Sequence, residues 1–191
     1  MPSAADEPGS HLAWLRRLSP WPADGFGLDR MHALLELLGS PQLEYEAVHV
    51  VGTNGKTTAT KTIEALLVAD GLHAGATISP HVRSWSERIT VDGREVDLEW
   101  ALARVRTEAE RVGATQFEAV TAAALAAFAD ARVDAAVVEA GLGGRLDATN
   151  VLRSRVVLLT NVSEEHTDVL GDTVEELSLI HISEPTRLRR I

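Results

Sequence analysis

The stretch Val48-His49-Val50-Val51-Gly52-Thr53-Asn54-Gly55-Lys56-Thr57-Thr58 joins a short apolar run to a glycine-containing turn and then to the start of a helix. Such a run is typical of a buried parallel strand. The glycines allow the backbone to approach an anion, and the first N–H groups of the following helix point at it. The ammonium of Lys56 adds a positive charge, and the Thr57 hydroxyl suits Mg²⁺. The stretch therefore predicts a nucleotide-binding loop, whose contacts come from Gly52, Thr53, Asn54, Gly55, Lys56, Thr57 and Thr58.

Further strand patterns alternate with helical ones on both sides of this loop. A helix follows Thr57 and closes at Gly71, and residues 73–78, 134–138 and 155–159 each carry the pattern of a buried strand. This alternation predicts an α/β fold with a mostly parallel sheet flanked by helices.

The remaining patterns predict peripheral elements. A short helix is expected over 12–18 and another over 31–38, both from leucines at helical spacing. Asp92-Gly93 lies between alternating runs and predicts a hairpin over 87–96. Residues 97–112 are expected to form a charged surface helix, and residues 117–128 an alanine-rich helix suited to close packing.

The stretch Ala135–Asn150 places a carboxylate, Glu139, at the end of a predicted strand and follows it with a glycine-rich loop that contains Arg145 and Asp147. Ligands of open α/β sheets gather at the carboxyl ends of the strands. A carboxylate there is able to meet a metal ion bound at Thr57, although a solvated strand end is the plain alternative.

Two more loops are expected at the same edge. His166 follows the predicted strand at 155–159, and Ser79-Pro80-His81 follows the one at 73–78. A lone histidine is more often structural than a ligand, and the Ser-Pro-His tripeptide by itself is a weak signal. Their positions after parallel strands nevertheless make them candidates.

Composition excludes several classes of function. The formal net charge of -10 argues against a nucleic-acid partner, which needs a basic face. The chain has no cysteine, which excludes disulfides, thiolate metal sites and a cysteine nucleophile. No signal peptide and no apolar stretch long enough for a membrane span is found, so a cytoplasmic location without membrane contact is expected.

The last segment, 177–191, differs in character from what precedes it, with three arginines in its last five residues. Its string Leu177–Arg187 resembles the translation of a sequencing-library adapter, and a divergent native tail is the alternative. We expect the native chain to continue beyond Glu176, and we exclude 177–191 from fold reasoning.

Six ordered motifs within 25–176 resemble bacterial folylpolyglutamate and dihydrofolate synthases of the Mur ligase superfamily. Strict Walker A spacing fails because Val50 occupies its first glycine position, whereas the loop matches the shorter Mur ligase form. The motifs are Gly25-Phe26-Gly27-Leu28-Asp29-Arg30, Gly52–Thr57, Ser79-Pro80-His81 with Glu87-Arg88-Ile89, Gln116-Phe117-Glu118 with Thr121-Ala122, Glu139–Asn150, and Glu165-His166-Thr167 with Leu170-Gly171.

The resemblance implies a ligase that uses ATP and Mg²⁺ to join L-glutamate to dihydropteroate, to (tetrahydro)folate, or to both, through an acyl phosphate. It implies catalytic roles for Lys56, Glu139 and His166. One Mg²⁺ would be held by Thr57, Ser79 and Glu139, and a second by Glu139 and His166 with a carbamylated lysine. The pterin substrate would be contacted by Leu28, Asp29, Arg30, Phe117, Glu118, Leu146, Asp147 and Ala148.

The resemblance also implies a division of the chain. Residues 1–24 are expected to be a flexible leader with a short helix, and 25–176 part of an ATP-binding domain that is incomplete at its C-terminus. The carbamylated lysine and a C-terminal glutamate-ligase domain would lie beyond Glu176, so we expect the 191-residue chain itself to be inactive. A monomer is expected from the family.

Two departures from the family pattern keep alternatives open. The Gly55-Lys56-Thr57-Thr58 loop is closer to the cell-wall Mur ligases, and Glu165 stands where the family commonly has aspartate before the histidine. A cell-wall Mur ligase fragment and a non-catalytic nucleotide-binding fragment are therefore the alternatives.

Overall fold

The computed structural model describes residues 9–22, 25–141 and 145–161 of the chain. Their helices are α1 (His11–Arg17), α2 (Asp29–Leu37), α3 (Lys56–Ala69), α4 (Leu98–Ala103), α5 (Arg106–Val112) and α6 (Gln116–Ala131). Their strands are β1 (Glu46–Val51), β2 (Ala74–Thr77), β3 (Ile89–Val91), β4 (Arg94–Glu95), β5 (Ala135–Glu139) and β6 (Ser154–Leu159). Short 3₁₀ helices add Pro41–Leu43 and Trp85–Arg88.

The strands form one sheet in the order β4-β3-β2-β5-β1-β6. β2, β5, β1 and β6 pair in parallel, while β3 and β4 continue the sheet beyond β2 as an antiparallel hairpin. The predicted α/β class with a mostly parallel sheet is confirmed. Because the four parallel strands point the same way, the loops after β1, β2, β5 and β6 share one edge of the sheet.

The two faces of the sheet carry different layers. On one face, α3 covers a small cluster around Val50, Ala76 and Val137. On the other face, the main core is built on α6, which is buried along most of its length and meets α1, α2 and α4. β1 lies between these layers, with β5 and β6 as its neighbours.

α6 packs closely on the sheet because β2 has a glycine, Gly75, at the point of contact. A Cβ atom placed on Gly75 would lie 2.5 Å from Cδ1 of Phe128 on α6, far inside contact distance. The alanine-rich face predicted for residues 117–128 is therefore matched by a small residue opposite it, as close helix–sheet packing requires.

The helix predicted over 97–112 is wrong in two respects. The chain forms two helices, α4 and α5, which break at Arg104 and Val105. They are also not simply surface helices, since Leu102 and Val105 are fully buried. α4 packs against α1 and α6, whereas α5 packs against α2, and the break lets each short helix face its own partner.

The other predicted elements are found with small differences at their ends. The hairpin turn is made by Asp92 and Gly93, both with positive φ, which agrees with the Asp-Gly signal. α1 packs against α4 and α6, with Leu12, Trp14 and Leu15 buried. Among the described residues, no helix is long and apolar enough to span a bilayer.

Candidate functional site

At one position, the loop between β1 and α3 has a backbone conformation and surroundings that only glycine fits. Gly52 has φ +127°, and a Cβ there would lie 2.3 Å from Thr160 Oγ1 and 2.8 Å from the Asn161 carbonyl oxygen. The loop therefore passes directly over the residues that follow β6. Gly55 also has positive φ, at +82°, but open space surrounds it.

Asn161, two residues after the end of β6, holds this loop. Its carbonyl oxygen accepts from the Thr53 N–H at 3.0 Å, and its side-chain Oδ1 accepts from the Asn54 N–H at 2.8 Å. Asn161 was not among the predicted site residues. Its position shortly after a predicted parallel strand was the sequence feature that could have indicated it. Its contact with a loop more than 100 positions earlier is known only from the structure.

The start of α3 is arranged for an anion. Gly55 is its N-cap and supplies no side-chain acceptor, and the first turn carries no acidic residue. The first backbone N–H groups of a helix have no partner within the helix and bear partial positive charge. The Lys56 ammonium lies above the loop, donating to the carbonyls of Gly52 at 2.9 Å and Thr53 at 3.0 Å.

Glu139, the last residue of β5, lies directly beside this helix start. The Thr57 hydroxyl is 2.9 Å from Oε1 and 3.0 Å from Oε2, and the Ser79 backbone N–H donates to Oε2 at 3.1 Å. The fold thus brings together the three predicted ligands of one metal ion from the start of α3, the loop after β2 and the end of β5.

Burial raises the pKa of Glu139 above its ordinary value. The hydrogen bonds from Ser79 and Thr57 oppose that rise, as do the charges of Lys56 and Arg88. The carboxylate is only 3 % exposed, so its negative charge is poorly solvated.

A divalent cation fits this donor set, because it would supply the positive charge that a buried carboxylate lacks. Hydroxyl and carboxylate oxygens are the ligands that Mg²⁺ prefers, with waters completing its shell. The described residues hold no cluster of three acidic, histidine or cysteine side chains. A metal here would therefore draw on Glu139, the two hydroxyl residues Thr57 and Ser79, and the phosphates of a nucleotide.

Arg88 interacts with Glu139 and also lines a neighbouring cavity. Its guanidinium is 4.4 Å from the centre of the Trp85 ring, and its Nε donates to His81 Nδ1 at 2.9 Å. Burial lowers the pKa of Arg88, and the charge of Glu139 raises it. Arg88 was quoted within a motif but not predicted as a site residue, since its position between two binding regions follows only from the fold.

The cavity beyond Arg88 has a volume of about 420 Å³ and mixed apolar and polar walls. Ser79 and Arg88 line its side toward Glu139. Among the predicted substrate residues, it is lined by Arg30, Phe117, Glu118, Leu146, Asp147 and Ala148.

One wall of the cavity is an ion pair between Arg30 and Glu118. The Nε of Arg30 donates to both oxygens of Glu118, at 3.2 and 3.1 Å. Glu118 also accepts from the N–H and the hydroxyl of Thr115, at 2.7 and 2.8 Å, and so caps α6. Phe117 lies against Gly141, where an added Cβ would be 2.5 Å from the ring.

Two predicted site residues, Leu28 and Asp29, lie away from the cavity. Leu28 is the N-cap of α2 and packs against the main core, and Asp29 is exposed in the first turn of that helix. Neither lines the cavity. His166 lies outside the described residues, as do Glu176 and the segment 177–191.

The geometry supports transfer of a phosphoryl group to a ligand held in the cavity. The anion-binding loop and the buried carboxylate lie on one side of Ser79 and Arg88, and the cavity lies on the other. Such transfer needs little covalent chemistry from the protein, which mainly positions the reactants and neutralises charge.

Comparison with known proteins gives one family. The model of the Mur ligase middle domain matches residues 50–178. The dihydrofolate synthase/folylpolyglutamate synthase of Mycobacterium tuberculosis is 42% identical over 160 residues, which are 75% of this chain and 33% of that protein.

Solved structures agree in fold. Escherichia coli FolC in complex with DHPP and ADP has a TM-score of 0.84 and 32% identity, over 95% of this chain and 44% of that one. An FPGS–AMPPCP–folate complex has a TM-score of 0.84 and 35% identity, over 90% and 44%. The chain thus spans about a third to less than half the length of these relatives.

Proposed function

Since the chain belongs to the Mur ligase family through its middle domain, we propose that it is the ATP-binding part of a ligase that joins L-glutamate to dihydropteroate, to (tetrahydro)folate, or to both. The observation that carries the proposal is the placement of Thr57, Ser79 and Glu139 between an anion-binding loop and a cavity of pterin size. The names of the relatives support the substrate class, because their solved complexes contain ADP, AMPPCP, DHPP or folate.

The reaction proceeds in two steps. A carboxylate oxygen of the substrate attacks the γ-phosphorus of ATP, the bond to the bridging oxygen breaks, and ADP leaves with the electron pair. The glutamate amine then attacks the acyl phosphate, an amide bond forms, inorganic phosphate departs and the amine loses a proton. No residue needs to act as a covalent nucleophile.

The chain's residues position these groups and neutralise their charge. The loop residues Gly52–Thr58 bind the phosphates, and the Lys56 ammonium turns from the loop carbonyls toward the outer phosphate oxygens. Arg88 lines the cavity and interacts with Glu139, so its charge would neutralise the substrate carboxylate and the transferred group. Thr57, Ser79 and Glu139 would hold Mg²⁺, which supplies further charge neutralisation to the phosphates.

His166 completes the catalytic set in this proposal, together with Lys56 and Glu139, and would hold a second Mg²⁺. The pterin end of the substrate would contact the cavity residues, and the family resemblance assigns Leu28 and Asp29 to the same substrate. We further propose a cytoplasmic monomer without nucleic-acid or membrane partners, and the net charge of -10 supports the absence of nucleic acid.

A nucleotide titration of the purified chain tests the first half of the proposal. We expect AMPPCP, an ATP analogue that is not hydrolysed, to bind in the presence of Mg²⁺ and more weakly with EDTA. Lys56→Ala should lower that affinity at least about tenfold, because a charge-assisted contact to phosphate is lost. Lys61→Ala is the matched control, since Lys61 contacts Glu64 and Thr90 and not the loop.

Failure of the wild-type chain to bind AMPPCP in either buffer would overturn the nucleotide assignment. Equal losses in Lys56→Ala and Lys61→Ala would show that surface charge, and not the loop, sets the affinity.

The ligation itself is tested in a full-length protein that contains these residues. We expect Lys56→Ala to abolish glutamate ligation, and retention of more than about a tenth of the rate would count against the mechanism. Use of a nucleotide-sugar peptide in place of dihydropteroate or folate would favour the cell-wall ligase alternative. Nucleotide binding without any ligation would favour the non-catalytic one.

A further inference from the structure

Three hydrogen-bonded polar residues connect β1 to the wall of the cavity. His49 of β1 is fully buried, and its Nε2 lies 2.8 Å from the hydroxyl oxygen of Thr149. The Thr149 hydroxyl donates to Oδ1 of Asp147 at 2.5 Å, and the Thr149 N–H donates to the same oxygen at 2.9 Å. Asp147 in turn lines the cavity.

The direction of each hydrogen bond follows from the number of protons available. A threonine hydroxyl carries one proton. Since Thr149 gives that proton to the Asp147 carboxylate, its oxygen is an acceptor toward His49. The Nε2 atom of His49 must therefore carry a hydrogen and donate it to Thr149.

Burial favours the neutral form of this histidine and lowers the pKa of His49 to about 4. A neutral imidazole has one N–H, and the contact with Thr149 places it on Nε2. The ring is thus neutral at neutral pH and donates to Thr149.

The position of His49 is otherwise an apolar one. Ala47 and Val51 share its face of β1 and are buried in the same way. A polar ring placed there costs desolvation free energy unless it is hydrogen-bonded. An aliphatic side chain would avoid that cost, so packing alone does not account for a histidine that reaches Thr149.

We propose that His49 and Thr149 are positioning residues that orient the Asp147 carboxylate toward a bound heteroaromatic ring bearing N–H donors; the ligand half of this inference rests on the function proposed above. The two donors of Thr149 fix Oδ1, and this sets the direction of the whole carboxylate. Asp147 lines the cavity, so this orientation would present the carboxylate to the N–H groups of a pterin bound there.

The ligand-independent arm of the test is NMR spectroscopy of the purified chain. Long-range ¹H–¹⁵N spectra assign the tautomer of His49, which we expect to be Nε2–H. The hydroxyl proton of Thr149 should be protected from exchange and shifted downfield. Thr149→Val removes that hydroxyl at nearly constant shape, and we expect it to abolish the fixed tautomer.

The second arm measures affinity for dihydropteroate. We expect Thr149→Val to weaken binding about tenfold and Thr149→Ser, which keeps the hydroxyl, to stay within about twofold. His49→Gln can donate from its amide and should retain more affinity than His49→Leu. Affinity for Mg²⁺–AMPPCP should be unchanged in all four variants, whereas a general loss of structure would lower both affinities.

A double-mutant cycle connects the effect to Asp147. In an Asp147→Ala background, Thr149→Val should cause no further loss of dihydropteroate affinity. An Nδ1–H tautomer, equal affinities for the valine and serine variants, or an additive cycle would overturn the inference. If the wild-type chain binds no dihydropteroate, the proposed substrate is wrong, and the NMR arm still decides whether His49 and Thr149 orient Asp147.

Discussion

Gly52 is the residue whose conformation the site depends on most. Its φ of +127° is one that other residues rarely adopt, and the space for a side chain is filled by Thr160 and Asn161. Gly55 shares the positive φ but has open space around it. Replacing Gly52 should therefore lower the stability of the chain more than replacing Gly55, although the sequence alone does not distinguish the two glycines.

We expect Gly52→Ala to destabilise the chain by roughly 2–5 kcal/mol and to abolish nucleotide binding, because backbone strain and a clash with backbone atoms add. Gly55→Ala meets only the strain and should cost on the order of 1–2 kcal/mol. Urea unfolding compares the two variants. Equal destabilisation would contradict the close approach of Gly52 to Asn161.

His49 makes the chain sensitive to acid. Its pKa is lowered from 6.5 to about 4 by burial, so between these values the unfolded chain binds a proton that the folded chain does not. The stabilising contribution is complete above about pH 6.5 and is lost as pH falls toward 4. The loss should be on the order of 3 kcal/mol.

Comparing the wild type with a His49→Gln variant isolates the contribution of His49 to the pH dependence of stability. We expect His49→Gln to show a smaller fall in unfolding free energy between pH 7 and pH 4 than the wild type, by about that amount. His32→Gln, a substitution at an exposed histidine, should keep the wild-type fall. A His49→Gln curve parallel to the wild type would rule out a buried neutral His49.

At the scale of elements, Glu64 attaches α3 to the β3–β4 hairpin. It is only 2 % exposed, and it accepts from the Thr90 hydroxyl at 2.7 Å and from the Gly93 N–H at 3.1 Å. Lys61 contributes a weaker contact at 3.4 Å. A buried carboxylate of α3 thus holds the turn of the hairpin.

Glu64→Ala should lower the free energy of unfolding by roughly 2–3 kcal/mol, because buried donors lose their acceptor. It should also raise hydrogen exchange at Gly93. Thr62→Ala, on an exposed position of the same helix, is the control. Unchanged exchange at Gly93 in the Glu64 variant would argue against this attachment.

At the scale of the whole molecule, the proposed function places two binding regions at the edge of the sheet where the parallel strands end. The nucleotide loop lies on one side of Ser79 and Arg88, and the cavity lined by Phe117 and Asp147 lies on the other. Under the proposed function, each ligand should then have its own set of affinity-determining residues.

We expect Phe117→Leu to weaken dihydropteroate binding about tenfold through lost aromatic contact while leaving Mg²⁺–AMPPCP affinity unchanged. Lys56→Ala should do the reverse. Calorimetric titrations of both variants with both ligands measure this. A variant that lowers both affinities equally would show that the two regions do not bind independently.

Much of the architecture was predictable from local patterns in the sequence. β1, the glycine loop and α3 follow from an apolar run, two glycines and a helix start, which act over a few residues. The Asp92-Gly93 turn was predictable for the same reason. The break between α4 and α5 was not, because it depends on which distant helix each half packs against.

The sequence by itself determined the α/β class, the phosphate-binding type of the loop and the identity of the strand-end candidates, since these depend on residue type and short spacing. Only the tertiary structure decided that Glu139 meets Thr57 and Ser79, that Asn161 holds the loop, and that Arg88 lines the cavity near Glu139. The order β2-β5-β1-β6 brings residues up to 109 positions apart into hydrogen-bonding distance. Contacts of that range follow from strand order and packing, which no local pattern specifies.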